Sequence, residues 1–519
     1  MGDLNDRVER NAARLYSNEY KPPAVFGTGQ ATGWPGDKPG RALLALCCLY
    51  RALDVGEEKQ KALAQAADIV RALPKYLNEF GYFGLPFDSA AVNEQQLAGN
   101  SWFLRGLCAY YRLTGDTFAL EAAARVIENY VLQAGQCYAK YPIAARGIGG
   151  VGGHLTAARV DGWALSSDVG CAFILMDGVS DVHALTKDAR LVPVMRGMIK
   201  RFFELDIAKY KLQTHAALSA LRGAVCFAED TGDKTLLSRA EARFGVYLSE
   251  GLTLDYANYN WFGMPSWTEP CTVVDSILLA ATFFRYTQNR AYLRFINRVY
   301  HNALRSLQRT NGGAGCQTCL THENNVLKIH LYEADFCCTM RLAEGLLALK
   351  ELTYCEVNGD TFVIINESSR AELAGGFTVS QEVVTRDSGS IESVTFTIEN
   401  NNTNDVNARR ESLKIYVPQG VTVTGCAVKG GYAVLPLKAG RTTLNFAAEP
   451  HIEQVQGRSL RFLSDMLLTR KGDGAYSPVT DCFRLSGRAA EEALVQSVWD
   501  ETAKIAEKTE TPARSAVVV

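Results

Sequence analysis

A chain of 519 residues is too long for one ordinary core, so a large domain and at least one smaller unit are expected. The formal net charge is only −2, with both signs mixed along the chain, which gives no reason to expect a nucleic acid or an anionic membrane as partner. The charged start Met1-Gly2-Asp3-Leu4-Asn5-Asp6-Arg7 lacks the apolar core of a secretory signal, and no stretch reaches the roughly eighteen apolar residues of a membrane span. A soluble, cytoplasmic protein is expected.

The first two-thirds of the chain reads as a repeated helical hairpin. Leu107 to Leu113 ends one helix, Thr114-Gly115-Asp116 turns, and Ala119 to Ala123 begins the next. The phrase returns as Val225 to Asp230, Thr231-Gly232-Asp233 and Leu236-Leu237, and again as Phe283 to Tyr286, Thr287-Gln288-Asn289 and Ala291 to Leu293. Each copy has apolar residues at helical spacing, a stop residue and an Asp or Asn cap. Weaker turns are expected near Asp54-Val55-Gly56 and near Asp177-Gly178-Val179-Ser180-Asp181, and a last helix runs from Arg341 to Leu352. Turns recur at roughly 50 to 65 residues, which suggests six hairpins in an (α/α)6 barrel over residues 1–354, with an open solenoid as the alternative.

After about residue 355 the apolar period falls to 2, as in Thr361 to Ile365, Val394 to Ile398 and Leu413 to Val417, with Gly, Asn and Asp clusters between. A β-sandwich over 355–487 is expected. Residues 488–519 read as an amphipathic helix from Ala489 to Lys508 followed by a loose end.

Fourteen cysteines is a high count. Cys47, Cys48, Cys108 and Cys226 sit in apolar runs and read as small buried hydrophobes. In a reducing compartment the remaining clusters fit metal binding or catalysis better than disulfides. Adjacent Cys337 and Cys338 are too close for an unstrained disulfide and suit a paired thiolate clamp. Glu269 and Cys271, in Glu269-Pro270-Cys271, stand at the start of a second apolar helix. In a helical toroid these two helix mouths can converge, and three thiolates with one carboxylate suit zinc better than magnesium or calcium. Two readings compete. Cys316 and Cys319 have zinc-knuckle spacing and with Cys337 and Cys338 would make a purely structural site of four thiolates, or the paired cysteines are simply core thiols and Glu269 a first-turn carboxylate.

Glu269-Pro270-Cys271 with its following helix, and Cys337-Cys338 leading into Leu346 to Tyr354, resemble glycoside hydrolase family 127, the β-L-arabinofuranosidase family. The resemblance implies zinc bound by Glu269, Cys271, Cys337 and Cys338, with Cys337 as nucleophile. By the same resemblance Glu250, opening Glu250-Gly251-Leu252-Thr253-Leu254-Asp255-Tyr256, is the general acid/base, and His215 in Gln213-Thr214-His215 contacts the sugar. It implies a retaining glycoside hydrolase with a carbohydrate substrate, an L-arabinofuranoside or a related plant-derived sugar. A homo-oligomer stays open. The chain departs from the family at Thr339-Met340-Arg341, where Pro-Pro-Asn is usual, at Asp335, where a further cysteine stands, and at Leu97 to Trp102, which lacks an early histidine. The alternatives are a non-catalytic carbohydrate-binding or scaffold protein with structural zinc, or an epimerase or lyase on the same toroid.

Other residues carry weaker signals. Trp261, Phe262, Trp267, Tyr256 and Tyr259 form an aromatic cluster suited to sugar faces or to a core. His154 sits in a glycine-rich loop without the context of a phosphate cradle. His322, Glu323, His330 and Glu333 are polar groups close to the cysteine pair in sequence.

Overall fold

The computed structural model describes residues 2–27, 33–143, 153, 155–321, 323, 327–328, 332–401, 412–470, 476–478 and 494–495. Of the helix expected from Ala489 to Lys508 only residues 494–495 are described, and they form a short strand paired antiparallel with 327–328 instead; His154, His322 and His330 lie outside the described residues.

Among the described residues, six long helices line the centre and six pack around them. In chain order the long helices are α1 (Asp3–Leu15), α2 (Asp37–Ala52), α3 (Glu57–Ala72), α4 (Glu94–Thr114), α5 (Thr117–Val126) and α6 (Leu175–Thr186). They continue with α7 (Leu191–Glu204), α8 (Thr214–Thr231), α9 (Lys234–Glu250), α10 (Pro270–Thr287), α11 (Arg290–Arg298) and α12 (Cys338–Thr353). The even-numbered helices pack each on the next, and α12 packs back on α2, so the ring closes. That closure decides for the (α/α)6 barrel over the open solenoid. The N-terminal helix α1 pairs with α12 and supplies the sixth outer helix.

Local chemistry fixes the hairpins. Gly115 and Gly232 end α4 and α8 in the left-handed conformation, at φ +71° each, and Asp116 and Asp233 then cap α5 and α9 through backbone N–H groups of Phe118 and Leu236. The third copy stops on Gln288 at φ +53°, where a Cβ is strained, and Asn289 caps α11. The turn expected at Asp177 to Asp181 is not there: those residues lie inside α6, and the chain turns after Thr186, at Lys187 with φ +54°. The glycine that suggested a turn serves packing instead. A Cβ at Gly178 would stand 2.5 Å from the Ser101 carbonyl of α4, so the inner helices touch backbone to backbone there.

A short hairpin, β1 (Leu155–Val160) and β2 (Trp163–Ser166), sits between α5 and α6. Beyond α12 come β3 (Cys355–Val357), β4 (Asp360–Val363), β5 (Ser369–Leu373), β6 (Phe377–Thr385), β7 (Ile391–Asn400), β8 (Ser412–Tyr416), β9 (Val421–Thr424), β10 (Ala427–Lys429), β11 (Tyr432–Pro436) and β12 (Gly440–Ala448). They form two five-stranded sheets, ordered β9-β12-β7-β6-β5 and β10-β11-β8-β4-β3, around a core that includes Val379, Phe396, Ile415 and Leu444. All pairings are antiparallel except β4 with β8. The molecule is thus mainly α with a β domain, an (α/α)6 barrel followed by a β-sandwich.

A further sheet begins with β13 (Pro450–Val455), β14 (Arg458–Leu463) and β15 (Met466–Arg470) and packs against the barrel. At that junction Arg298 is buried, its guanidinium 3.2 Å from Asp465 and 2.6 Å from both Glu453 and the Tyr256 hydroxyl. No helix among the described residues is long and apolar enough to cross a membrane.

Candidate active site and metal centre

The N-terminal ends of α10 and α12 meet at the centre of the ring. Glu269 is the residue before α10 and Cys271 lies in its first turn; Cys337 is the residue before α12 and Cys338 its first. One donor atom from each of the four lies within 4.8 Å of all the others, with Cys338 Sγ 3.3 Å from both Cys271 Sγ and Cys337 Sγ. A tetrahedron of zinc–thiolate bonds of about 2.3 Å has edges of about 3.8 Å, so the donor set fits a metal ion of that kind in both chemistry and size. The competing four-cysteine set does not form. Cys316 lies beside Cys338, but the Cys319 thiol turns away and donates to the Asn258 carbonyl at 3.7 Å. The described cysteines are all free thiols.

Two helix N-termini aimed at one spot favour negative charge there. Without a metal the thiols share that advantage unequally. Hydrogen bonds from the Cys271 and Cys338 thiols bring the Cys337 thiol down to about 7 despite its burial. Burial pushes Cys271 up to about 11 and Cys338 well above the ordinary thiol value. Burial, with Cys271 and Cys316 nearby, also holds the Glu269 carboxyl well above the carboxylate range. With its amide turned to satisfy both neighbours, Asn260 donates to Glu269 Oε2 at 2.5 Å and accepts from Trp267 Nε1 at 3.1 Å, so the carboxyl is fixed in direction.

Three of the four, Glu269, Cys337 and Cys338, lie at the wall of a cavity of about 410 Å³, within the range of small-ligand sites. Trp34, Trp261, Trp267 and Phe336 give it aromatic faces, and Phe336 is 54% exposed. Of the aromatic cluster read from the sequence, Trp261 and Trp267 reach the cavity and pack edge to face at 5.1 Å, while Phe262 and Tyr256 are core. Among the charged lining residues are Asp37, Lys38, Arg41 and Asp168.

His215 lines the same cavity and is also fully engaged. Its Nδ1 is 2.6 Å from Asp275 Oδ2, its Nε2 is 3.2 Å from Arg41 Nη2, and its ring stacks on Trp102. Arg41 binds Asp37 at 2.7 Å, points Nη1 at Cys271 Sγ across 3.6 Å, and lies over the Trp102 ring at 3.8 Å. Trp102, standing in the stretch without the early histidine, is thus the plate on which the site's cation rests. Burial opposes the charge on Arg41, but Asp37 and the Cys271 and Cys337 sulfurs outweigh it and raise its pKa. The sequence reading missed Arg41, Asp37, Lys38, Trp34, Asn260 and Asp168. The acid–base spacing of Asp37 and Arg41 in the first turn of a helix was the one signal on offer.

Glu250 is not brought to this site. It is the last residue of α9, exposed, and is not among the residues lining the cavity. The reason is local: α9 is an outer helix, and the chain must still run through Leu252 and Leu254, both buried, before it reaches the cavity at Asn260. Glu333 pairs with Arg14 at 2.8 Å, and Glu323 is exposed; neither lines the cavity.

No protein-family model and no curated protein matches the sequence. Solved structures do match in three dimensions. A GH127 beta-L-arabinofuranosidase from Geobacillus stearothermophilus T6 aligns over 89% of this chain and 80% of its own, at 12% identity and a TM-score of 0.59. A second GH127 beta-arabinofuranosidase aligns over 95% and 91%, at 12% identity and a TM-score of 0.62. A structure described as a glycoside hydrolase aligns over 90% and 81%, at 11% identity and a TM-score of 0.62. This chain shares their fold. The match spans both the barrel and the sandwich, in the order the sequence resemblance to family 127 implies.

Proposed function

We infer that the protein is a retaining glycoside hydrolase in which Cys337 is the nucleophile and Glu269, Cys271, Cys337 and Cys338 hold zinc. One observation carries the reading: the most acidic thiol of a three-thiol, one-carboxyl cluster stands at a helix N-terminus on the wall of an aromatic-lined cavity of sugar-accepting size. When bound, zinc keeps the sulfur ionised at neutral pH and fixes its direction. Cys337 attacks the anomeric carbon and displaces the leaving oxygen, and water then releases the sugar with overall retention. The tryptophans offer faces for the apolar side of a sugar ring. The long structural alignments with beta-arabinofuranosidases support an L-arabinofuranoside or a related plant-derived sugar as substrate.

The test is a zinc-loaded Cys337→Ala variant assayed on 4-nitrophenyl β-L-arabinofuranoside and a panel of related glycosides. Turnover is expected to fall by at least about four orders of magnitude, some 5 to 6 kcal/mol of transition-state stabilisation, with an unchanged circular dichroism spectrum. Mass spectrometry of the wild type quenched in turnover is expected to find one sugar on Cys337. A variant that turns over normally, or an adduct on another residue, would sink the assignment.

A further inference from the structure

The sequence resemblance gives His215 to the sugar, yet neither of its ring nitrogens is open to one. Nε2 stands 3.2 Å from Arg41 Nη2, and a guanidinium only donates, so Nε2 is the accepting nitrogen. The ring hydrogen of that tautomer is on Nδ1, which donates to Asp275 Oδ2 at 2.6 Å. Asp275 accepts from every side, since Ser219 and the guanidinium groups of Arg222 and Arg341 donate to it as well. The imidazole is 2% exposed and stacks on Trp102 at 5.6 Å. A sugar hydroxyl reaches Nε2 only by displacing Arg41.

What His215 does hold is the far end of Arg41. Arg41 belongs to α2 and meets a different partner at each nitrogen of its fork. Nε binds Asp37 of the same helix at 2.7 Å, Nη2 binds His215 of α8, and Nη1 points at Cys271 Sγ of α10 across 3.6 Å. Trp102 of α4 lies against the guanidinium plane at 3.8 Å. A planar group anchored at Nε alone can still swing about that contact. A second anchor at Nη2 fixes the plane, and Nη1 then keeps its direction toward the sulfur. The stakes are those of the whole cluster, because a donor atom of Cys271 lies within 4.8 Å of those of Glu269, Cys337 and Cys338.

Resting on the glycosidase reading and its zinc site, we propose that His215 is a positioning residue for Arg41 and not a sugar contact. Asp275 sets the tautomer, Nε2 fixes the guanidinium, and the guanidinium sets a positive charge against the Cys271 sulfur. Loss of His215 therefore acts on the thiol cluster, through Arg41, and leaves the affinity for the sugar in place.

The test is a double-mutant cycle of His215→Asn and Arg41→Met, read as zinc affinity against a competing chelator. Asparagine sets its amide where Nδ1 stands and keeps a donor for Asp275, but has nothing at the Nε2 position. His215→Asn is expected to weaken zinc binding by about tenfold in the wild type. In the Arg41→Met background the same change should cost less than about twofold, because the group it positions is already gone. His215→Gln, with an amide oxygen at the Nε2 position, should restore most of the affinity. On 4-nitrophenyl β-L-arabinofuranoside, zinc-loaded His215→Asn should lose kcat while KM stays within about threefold. An equal loss of zinc affinity in both backgrounds, or no loss in either, overturns the positioning role, and a raised KM with kcat kept returns His215 to the sugar. A wild type that binds zinc but turns over no glycoside of the panel overturns the glycosidase reading alone, since the zinc cycle still decides what His215 does. A wild type that binds no zinc overturns the metal site and this role with it. Melting curves show whether each variant is folded, and where His215→Asn is not, a tenfold loss of zinc affinity in folded His215→Gln overturns the role by itself.

Discussion

Two buried aspartates with arginine partners behave in opposite ways. Asp275, beneath the cavity, faces His215, Ser219, Arg222 and Arg341, and although burial alone would raise it, Arg341 and His215 hold it well below the usual carboxylate range. Asp465, at the junction between barrel and β domain, faces one guanidinium, that of Arg298, and the hydroxyl of Tyr416, and burial wins: its carboxyl is raised. Both side chains are sealed from solvent. The difference is the number of cations, and it separates a charge that must stay ionised to orient His215 from one that only closes a seam.

The comparison breaks most visibly at Asp275. Asp275→Ala strands Arg222, Arg341 and His215 around an empty acceptor, and arginine cannot escape by losing its proton. A loss of about 3 to 5 kcal/mol in urea unfolding is expected, nearly the same at pH 5.5 and 8. Arg298→Met removes the cation from two carboxylates instead, Asp465 and Glu453, and Asp465 can take up a proton. Its folded pKa is raised above the unfolded one, so stability falls as pH rises through that window. The variant should therefore lose less stability at pH 5 than at pH 8, while turnover per folded molecule is preserved. A pH-independent loss at Arg298, or a strongly pH-dependent one at Asp275, would show that cation number does not govern the contrast.

What the sequence made legible follows the same division between local and long-range chemistry. The barrel was readable because each hairpin writes its own turn, as at Gly115-Asp116 and Gly232-Asp233. The one misread turn, at Gly178, used a glycine whose reason lies in another helix, at Ser101. The convergence of Glu269, Cys271, Cys337 and Cys338 was readable because each pair is adjacent or nearly adjacent in the chain. Asp168 was not, since its place on the cavity wall depends on Gly153, Trp34 and Glu94, which no local pattern connects to it. Glu250 shows the converse: closeness in sequence to Glu269 does not bring it to the cavity wall, because the chain runs from an outer helix to the centre between them.

Asp255 offers a smaller pH effect away from the cavity. It is fully buried, burial pushes its carboxyl up to about 6, and hydrogen bonds from Thr253 and Gln317 do not bring it back. Because the folded pKa is the higher one, its contribution to stability is full below about pH 4 and is lost as pH rises to about 6. A shift near two units corresponds to at most about 3 kcal/mol. Asp255→Asn should gain stability relative to wild type between pH 4 and 6.5 by up to that amount in denaturant titrations. A difference flat in pH would mean that Asp255 does not titrate across the window.

Arg41 belongs with Asp275 in the ionised region, yet its effect should be the smallest, because its guanidinium touches the thiol cluster only through Cys271. Three thiolates and a carboxylate around a divalent ion carry a net charge of about −2, and a guanidinium against one sulfur offsets part of it. Arg41→Met keeps the stacking volume over Trp102 but removes that charge and the hydrogen bond to His215. Zinc affinity measured against a competing chelator is expected to fall by about 10- to 100-fold. Arg41→Lys should not restore it, since one ammonium cannot reach Asp37, Cys271 and His215 together as the planar fork does. Unchanged zinc affinity in Arg41→Met would place Arg41 with the merely structural cations of the junction, and full rescue by lysine would reduce its role to a point charge.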